Sequence, residues 1–279
     1  MNDMQDTQPI LVLGGTGKTG RRVAQRLKDR GLVVQIGSRS AEPRFDWHDA
    51  ATWASVLQGM GAVYITYQPD LAVQGAVEAV GSFTNMALEA GVRRIVLLSG
   101  RGEEEAQRAE QALQDTDADW TIVRASWFAQ NFSESFLLDA VLAGEVTLPV
   151  GKTKEAFIDV EDIADVVVEA LTDASHIGQL YEVTGPRLMT FADAIGEIAE
   201  AIGRSIHYKE IPAKEYASLL EKHEVPSDYV SLVMYLFTTV LDGRNEFLTD
   251  GVQRALGREP RDFAEYARET AATGVWAIR

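Results

Sequence analysis

A chain of 279 residues is long enough to bury a sizeable core, as one large domain or as a ligand-binding domain with a smaller lobe. With 42 acidic against 26 basic residues its formal charge is −16, which argues against nucleic acid and anionic membrane surfaces as partners. The absence of cysteine excludes disulfides, a thiol nucleophile and Cys-ligated zinc; with a polar, acidic start from Met1 to Gln8 and no apolar run near the roughly 20 residues of a membrane span, a soluble, cytoplasmic protein is expected.

Ile10 to Leu13 is a short unbroken apolar run, as expected of a central strand buried on both faces, and Gly14 to Gly20 follows it directly. Val23, Ala24 and Leu27 recur at helical spacing, and Gly31 is placed to end that helix before a second apolar run, Leu32 to Ile36. The alternation continues with a weak strand near Arg44 to Trp47, a helix from His48 to Gln58, a strand from Ala62 to Thr66 and a helix within Leu71 to Ala90. A strand from Arg94 to Leu98, a charged surface helix from Glu103 to Gln114 with a solvated acidic start, and a strand from Trp120 to Arg124 complete this part. The pattern predicts an α/β fold with a Rossmann, doubly wound parallel sheet, whose ligands bind beyond the carboxyl ends of the strands.

Beyond Arg124 the rhythm loosens. The spacing predicts a helix near Asn131 to Ala143, short strands near Val146 to Leu148 and Ala156 to Ile158, and a helix from Asp162 to Leu171. Leu180 to Thr184 is strand-like, Thr190 can cap a helix from Phe191 to Ile202, Ile206 to Glu210 is a further strand, and Ala213 to Leu241 is helical with a break at Pro226. This reads as a Rossmann domain over 1–150 and a smaller, partly interleaved C-terminal α/β substrate lobe over 151–279. Its apolar stretch Val230 to Val240 faces the substrate pocket, lines a subunit interface or fills the lobe's core, core filling being the default reading.

The strongest chemical signal is Gly14-Gly15-Thr16-Gly17-Lys18-Thr19-Gly20, a GxxGxxG loop between a buried strand and an amphipathic helix. Gly14 allows the tight turn, Gly17 lets a pyrophosphate approach the backbone, Gly20 allows close packing of the helix, and the helix N-terminus offers free N–H groups. The spacing before Lys18 is not that of a P-loop. After the second strand, where an NAD-selective site places a carboxylate, the sequence reads Gly37-Ser38-Arg39. Arg39, with Ser38 and Lys18, suits a 2′-phosphate, so NADP is favoured over NAD. Asp46 and Trp47 either lie near the adenine or, for Asp46, cap the next helix. The histidines at 48, 176, 207 and 223 show no metal-ligand spacing, and no metal is expected.

Together ILVLGGTGKTGRRVA from Ile10, GSR from Gly37, GVRRIVLLS ending at Ser99, DWTIVRASWFAQNF from Asp119, FIDVEDIADV from Phe157 and YEVTGP from Tyr181 resemble the NmrA-like atypical short-chain dehydrogenase/reductases, which include relatives of the type 2 NAD(P)H:quinone oxidoreductases. The resemblance implies that Gly14, Thr16, Gly17, Lys18, Thr19 and Gly20 hold the pyrophosphate and Arg39 the adenosine end. It implies also that Thr66, Tyr67 and Gln68 flank the cofactor, that Ser99 and Gly100 approach the nicotinamide ribose, that Ser126, Trp127 and Phe128 close over the nicotinamide, and that Asn131 belongs to the substrate region. Ala125 stands where many relatives carry proline.

The Tyr-x-x-x-Lys proton-transfer pair of the wider superfamily is missing: no tyrosine in the chain is followed four residues later by lysine. Quinones, enones and imines can accept hydride without it, with Ser99, Tyr67 or Ser126 as candidate proton donors and Trp127 and Phe128 as a flat apolar wall. The expectation is an NADP-dependent reductase of a small planar electrophile; the alternative is a non-catalytic, NADP-binding redox sensor. A lyase or isomerase on the same fold is a third reading, and either a monomer or a homodimer is compatible with the sequence.

Overall fold

A computed structural model describes residues 8–278; the reading of a leaderless start rests on residues 1–7, outside those described. In chain order the elements are β1 (Ile10–Leu13), α1 (Lys18–Asp29), β2 (Val34–Gly37), α2 (Trp53–Leu57), β3 (Ala62–Ile65), α3 (Ala76–Glu89), β4 (Arg94–Gly100), α4 (Glu104–Gln114) and β5 (Asp119–Ala125). There follow α5 (Leu138–Ala143), β6 (Glu145–Leu148), β7 (Lys154–Glu155), α6 (Val160–Thr172), β8 (Gln179–Val183), β9 (Met189–Thr190), α7 (Phe191–Ile202) and β10 (His207–Glu210). The last are α8 (Ala213–Lys222), α9 (Ser227–Tyr235), α10 (Gly251–Leu256) and α11 (Phe263–Ala272).

These elements form two compact units. The first contains the described residues up to Ala125, then Val160–Val183 and Asp250–Arg258. Its sheet has six strands in the order β2-β1-β3-β4-β5-β8, every pairing parallel. All of β1 and β3 is buried, which is why both read as unbroken apolar runs: helices cover both faces of a parallel sheet. The chain reverses direction across the sheet between β1 and β3, and the open carboxyl ends of those strands form the topological switch point. Arg22 and Arg26 on α1 and Arg30 at its C-cap, spaced four apart, meet three acids spaced four apart on α6: Arg22 and Arg26 pair with Glu161, Arg26 with Asp165 at 2.7 Å, and Arg30 with Glu169. One helical face against another explains the common spacing.

The second unit contains Ser126–Asp159, Thr184–Thr249 and the chain from Glu259 onward. It has a parallel pair β10-β6 and a short antiparallel pair β7-β9. Its core gathers Phe132, Phe157, Phe191, Phe237, Phe263 and Trp276. Thr190 caps α7 as its sequence suggests, in a reciprocal capping box with Asp193.

Four expectations are corrected. Arg44 to Trp47 is not a strand. Its alternating aromatics arise because Phe45 and Trp47 both turn into one cluster with Trp53 and Phe83. The Asp46 backbone, meanwhile, bonds locally to Thr52 and to the Trp53 indole. Within the stretch read as Leu180 to Thr184, Leu180 to Val183 do not belong to the lobe: β8 is the sixth strand of the main sheet, pairing with β5. The first change of unit comes at Ala125 rather than at 150, because a long excursion separates β5 from the helix and strand that complete its sheet. The helix expected near Asn131 to Ala143 is a 3₁₀ turn, Ala129–Phe132, and the short α5. Among the described residues no helix is long and apolar enough to cross a membrane.

Candidate functional site

In the first unit the glycine loop joins the buried end of β1 to α1. Gly14 has φ +62° and its amide bonds Gly37 O at 2.9 Å; a Cβ there would strike the Thr66 hydroxyl, which itself bonds Leu13 O at 3.1 Å. A Cβ on Gly20 would run into the Gly14 carbonyl, so the residue lets the first turn of α1 sit directly on the loop. Gly17 starts α1 with no side-chain cap, and its own Cβ position meets nothing closer than Gly14 O at 3.2 Å. Thr16 is exposed and Lys18 partly so, whereas Thr19 is buried. The result is a backbone cradle that side chains would fill, leading into a helix whose N-cap Gly17 supplies no side-chain cap, and it fits the pyrophosphate of a dinucleotide.

The next strand ends close by. Ser38 folds its loop back by accepting the Phe45 amide at 2.9 Å, and Arg39 is exposed, with no ion pair or side-chain hydrogen bond among the described residues. The Trp47 indole donates to Thr66 O at 3.0 Å and lies 4.9 Å from the Tyr67 ring, so Trp47, Thr66 and Tyr67 form one edge. Asp46 is a turn residue: it accepts the His48 amide at 3.1 Å and pairs with Arg44 at 2.6 Å. The His48 amide and then Arg44 hold its carboxyl below the usual range. Gln68 is exposed.

The candidate proton donors fare differently. Ser99 is buried and its hydroxyl donates to Glu110 at 2.6 Å; Glu110 is clamped by Arg124, whose Nε lies 2.9 Å away. The Tyr67 hydroxyl makes no hydrogen bond among the described residues. Burial, and then Glu78, push its phenol above the ordinary value, so it stays protonated at neutral pH.

In the acidic run from Glu103 to Glu105, Glu104 is exposed and Glu105 partly so, as expected, but Glu103 is not solvated. Glu103 is buried, its carboxyl lies where a Cβ on Gly100 would stand, and it shares a hydrogen bond with Asp70. Burial first, and then Asp70, push the Glu103 carboxyl well above the usual carboxylate range. Two further residues that the sequence did not single out, Arg101 and Glu182, pair at 2.6 Å. The only signal for this turn is the Gly100-Arg101-Gly102 string that precedes Glu103.

In the second unit Ser126 is buried and donates to Glu155. Trp127 packs edge-on to Phe191 at 5.6 Å and tilted on Phe237 at 5.3 Å, and its buried indole N–H has no hydrogen-bond partner among the described residues. Phe128 makes a β-bridge with Ile158, and the partly buried Asn131 sits in the following 3₁₀ turn.

A parallel sheet with a glycine cradle at its switch point defines a nucleotide-binding Rossmann protein. The profile of the NAD(P)H-binding family matches residues 14–174. Agroclavine dehydrogenase of Claviceps fusiformis is 32% identical over 288 residues, covering 97% of this chain and 99% of that protein. NAD(P)H azoreductase of Xenophilus azovorans is 27% identical, over 94% and 98% of the two chains. The structure of an NADPH-dependent quinone oxidoreductase from Escherichia coli, complexed with NADPH, superposes with a TM-score of 0.75 at 20% identity, covering 93% of this chain and 99% of that one. The chain belongs to the NAD(P)H-binding family, and oxidoreductases are among its relatives.

Proposed function

We propose that this protein is an NADP(H)-dependent reductase of a small planar electrophile such as a quinone, an enone or an imine. The observation that carries the reading is the backbone cradle from Gly14 to Gly20 leading into α1, whose N-cap Gly17 has no side chain. There the Gly17 to Gly20 backbone would hold the pyrophosphate, Ser38 and Arg39 the 2′-phosphate, and Thr66, Tyr67, Gln68, Ser99 and Gly100 the remaining length of the dinucleotide. When bound, the reduced nicotinamide supplies two electrons and a proton as hydride.

The chain's own residues then have limited tasks. Thr66 and Trp47 fix the edge that carries Tyr67. Of the three candidate donors only Tyr67 has an uncommitted hydroxyl, since Ser99 serves Glu110 and Ser126 serves Glu155; Tyr67 is therefore the group that donates a proton to a reduced oxygen. An iminium acceptor needs no such proton, because hydride addition alone yields the amine.

The commitment of both serines favours a second reading, a redox sensor that binds the dinucleotide without turnover. Absorbance at the reduced-nicotinamide band, followed with NADPH and a panel of quinones, enones and iminium salts, separates the two. Acceptor-dependent oxidation is expected. Tight binding without oxidation over the whole panel would replace the reductase by the sensor.

A further inference from the structure

The Asp70–Glu103 pair lies where the chain leaves two adjacent central strands. Asp70 follows β3 and Glu103 follows β4, both beyond carboxyl ends, the side on which a doubly wound sheet binds its ligand. Glu103 is only 7% exposed, and its carboxyl rests against the Cα of Gly100. A hydrogen bond between two carboxyl groups requires a proton on one of them. Its Oε2 has no donor among the described residues, so a proton retained on Glu103 supplies what the protein does not.

Among the described residues no cation answers Glu103. The charged groups that face it are Asp70, from the segment after β3, and Glu110, from α4. The neighbouring cations serve other acids: Arg124 on β5 holds Glu110 and Glu182, and Arg101 holds Glu182. On α3, Glu78 faces Tyr67 rather than the pair. Loss of the proton would place two unneutralised carboxylates side by side beneath Gly100 in a site of low polarity.

We propose that Glu103 is a positioning residue that must be protonated for the dinucleotide to bind: hydrogen-bonded to Asp70, it props the Ser99–Gly102 turn in its binding shape, and its ionisation disrupts that turn and adds negative charge beside a polyanionic ligand. This rests on the reading of unit 1 as a dinucleotide site and deepens it. Burial first, together with Asp70, raises the proton affinity of Glu103, so affinity is full in acid and falls as pH rises through its elevated value. With one obligatory proton, binding weakens about tenfold for each pH unit above that value.

The experiment is calorimetric titration with NADPH between about pH 5 and pH 10, in a range that brackets ordinary and elevated carboxyl values, for the wild type, Glu103→Gln and Asp70→Asn. Glutamine keeps the size and a donor to Asp70 but cannot ionise. The expected result is a wild-type dissociation constant that rises with pH and a Glu103→Gln constant that does not, with Asp70→Asn shifting the fall to lower pH. Parallel pH profiles for the wild type and Glu103→Gln would overturn the proposal while leaving the cofactor site intact. Absence of NADPH and NADH binding by the wild type at every pH would overturn the site itself. The unfolding midpoint of the ligand-free protein against pH then reports the pair separately: its stabilising share is full below the unfolded carboxyl value, is lost as pH rises through the folded one, and is absent from Glu103→Gln.

Discussion

Arg39 and Tyr67 carry the proposed chemistry with little support from neighbours, and each makes a separable prediction. Arg39 is exposed and unengaged, so Arg39→Ala costs the fold nothing and removes only what the guanidinium gives a 2′-phosphate. A charge-assisted hydrogen bond of about 1.5–3 kcal/mol corresponds to roughly 10- to 100-fold weaker NADPH binding, with NADH changed by less than about twofold; equal losses for both dinucleotides in calorimetry would remove Arg39 from the 2′-phosphate site. Tyr67→Phe takes away the one uncommitted hydroxyl of the three candidates. General-acid catalysis contributes about 10²- to 10⁴-fold, so kcat should fall by at least about tenfold with enone or quinone acceptors and stay nearly constant with an iminium salt. A uniform fall would assign Tyr67 to cofactor packing with Trp47 instead. At this scale the cradle glycines were legible in the sequence, because only glycine fits where a Cβ would strike a hydroxyl or a carbonyl. The roles of Ser99 and Glu103 were not: which way a hydroxyl turns, and whether an acid at a helix start is wet or dry, depend on neighbours distant in the chain, such as Arg124 and Asp70.

Elements were read well where local chemistry alone decides them. The capped start of α7 needed only Thr190 and Asp193 three residues apart, and Thr190→Ala should cost about 1 kcal/mol, within the range of about 0.5–2 for a lost cap. Urea unfolding checks it, a change below a few tenths showing that water replaces the cap. Periodicity misled at Arg44–Trp47, where alternate aromatics mimic a strand. The sequence signal there is hydrophobic anchoring, and nothing local distinguishes an anchor from a pleat. In the long helical stretch after Ala213, Pro226 was correctly read as a break. A π-helical turn over Leu236–Val240, which extends α9 and carries Phe237 into the aromatic core, has no comparable marker, because it reflects packing rather than propensity.

At the level of the whole molecule, connectivity was the least legible feature. Each segment of the first unit has an ordinary α/β pattern, but the pairing of β8 with β5 joins Thr121 to Gln179 across the second unit's first segment. A glycine on α10, Gly251, packs so closely on Glu182 of β8 that a Cβ would meet its backbone. Truncation at 150, where the sequence suggested a boundary, leaves the sheet without β8, α6 and α10, so that fragment should lack cooperative unfolding, whereas the whole chain should melt sharply. A fragment with a sharp calorimetric transition would show that five strands suffice.

The threading of the two units also sets an order on the chain as it is made. The glycine cradle is synthesised well before the strand that completes its sheet, which begins at Gln179, and before the helix that covers that strand, which begins at Gly251. A ribosome-bound nascent chain therefore carries an open edge on β5 from the completion of that strand until β8 emerges, a bare ladder of amides and carbonyls to which another strand can add. Chaperone protection should concentrate on chains halted before Val183 and disappear once the segment through Arg258 has left the exit tunnel.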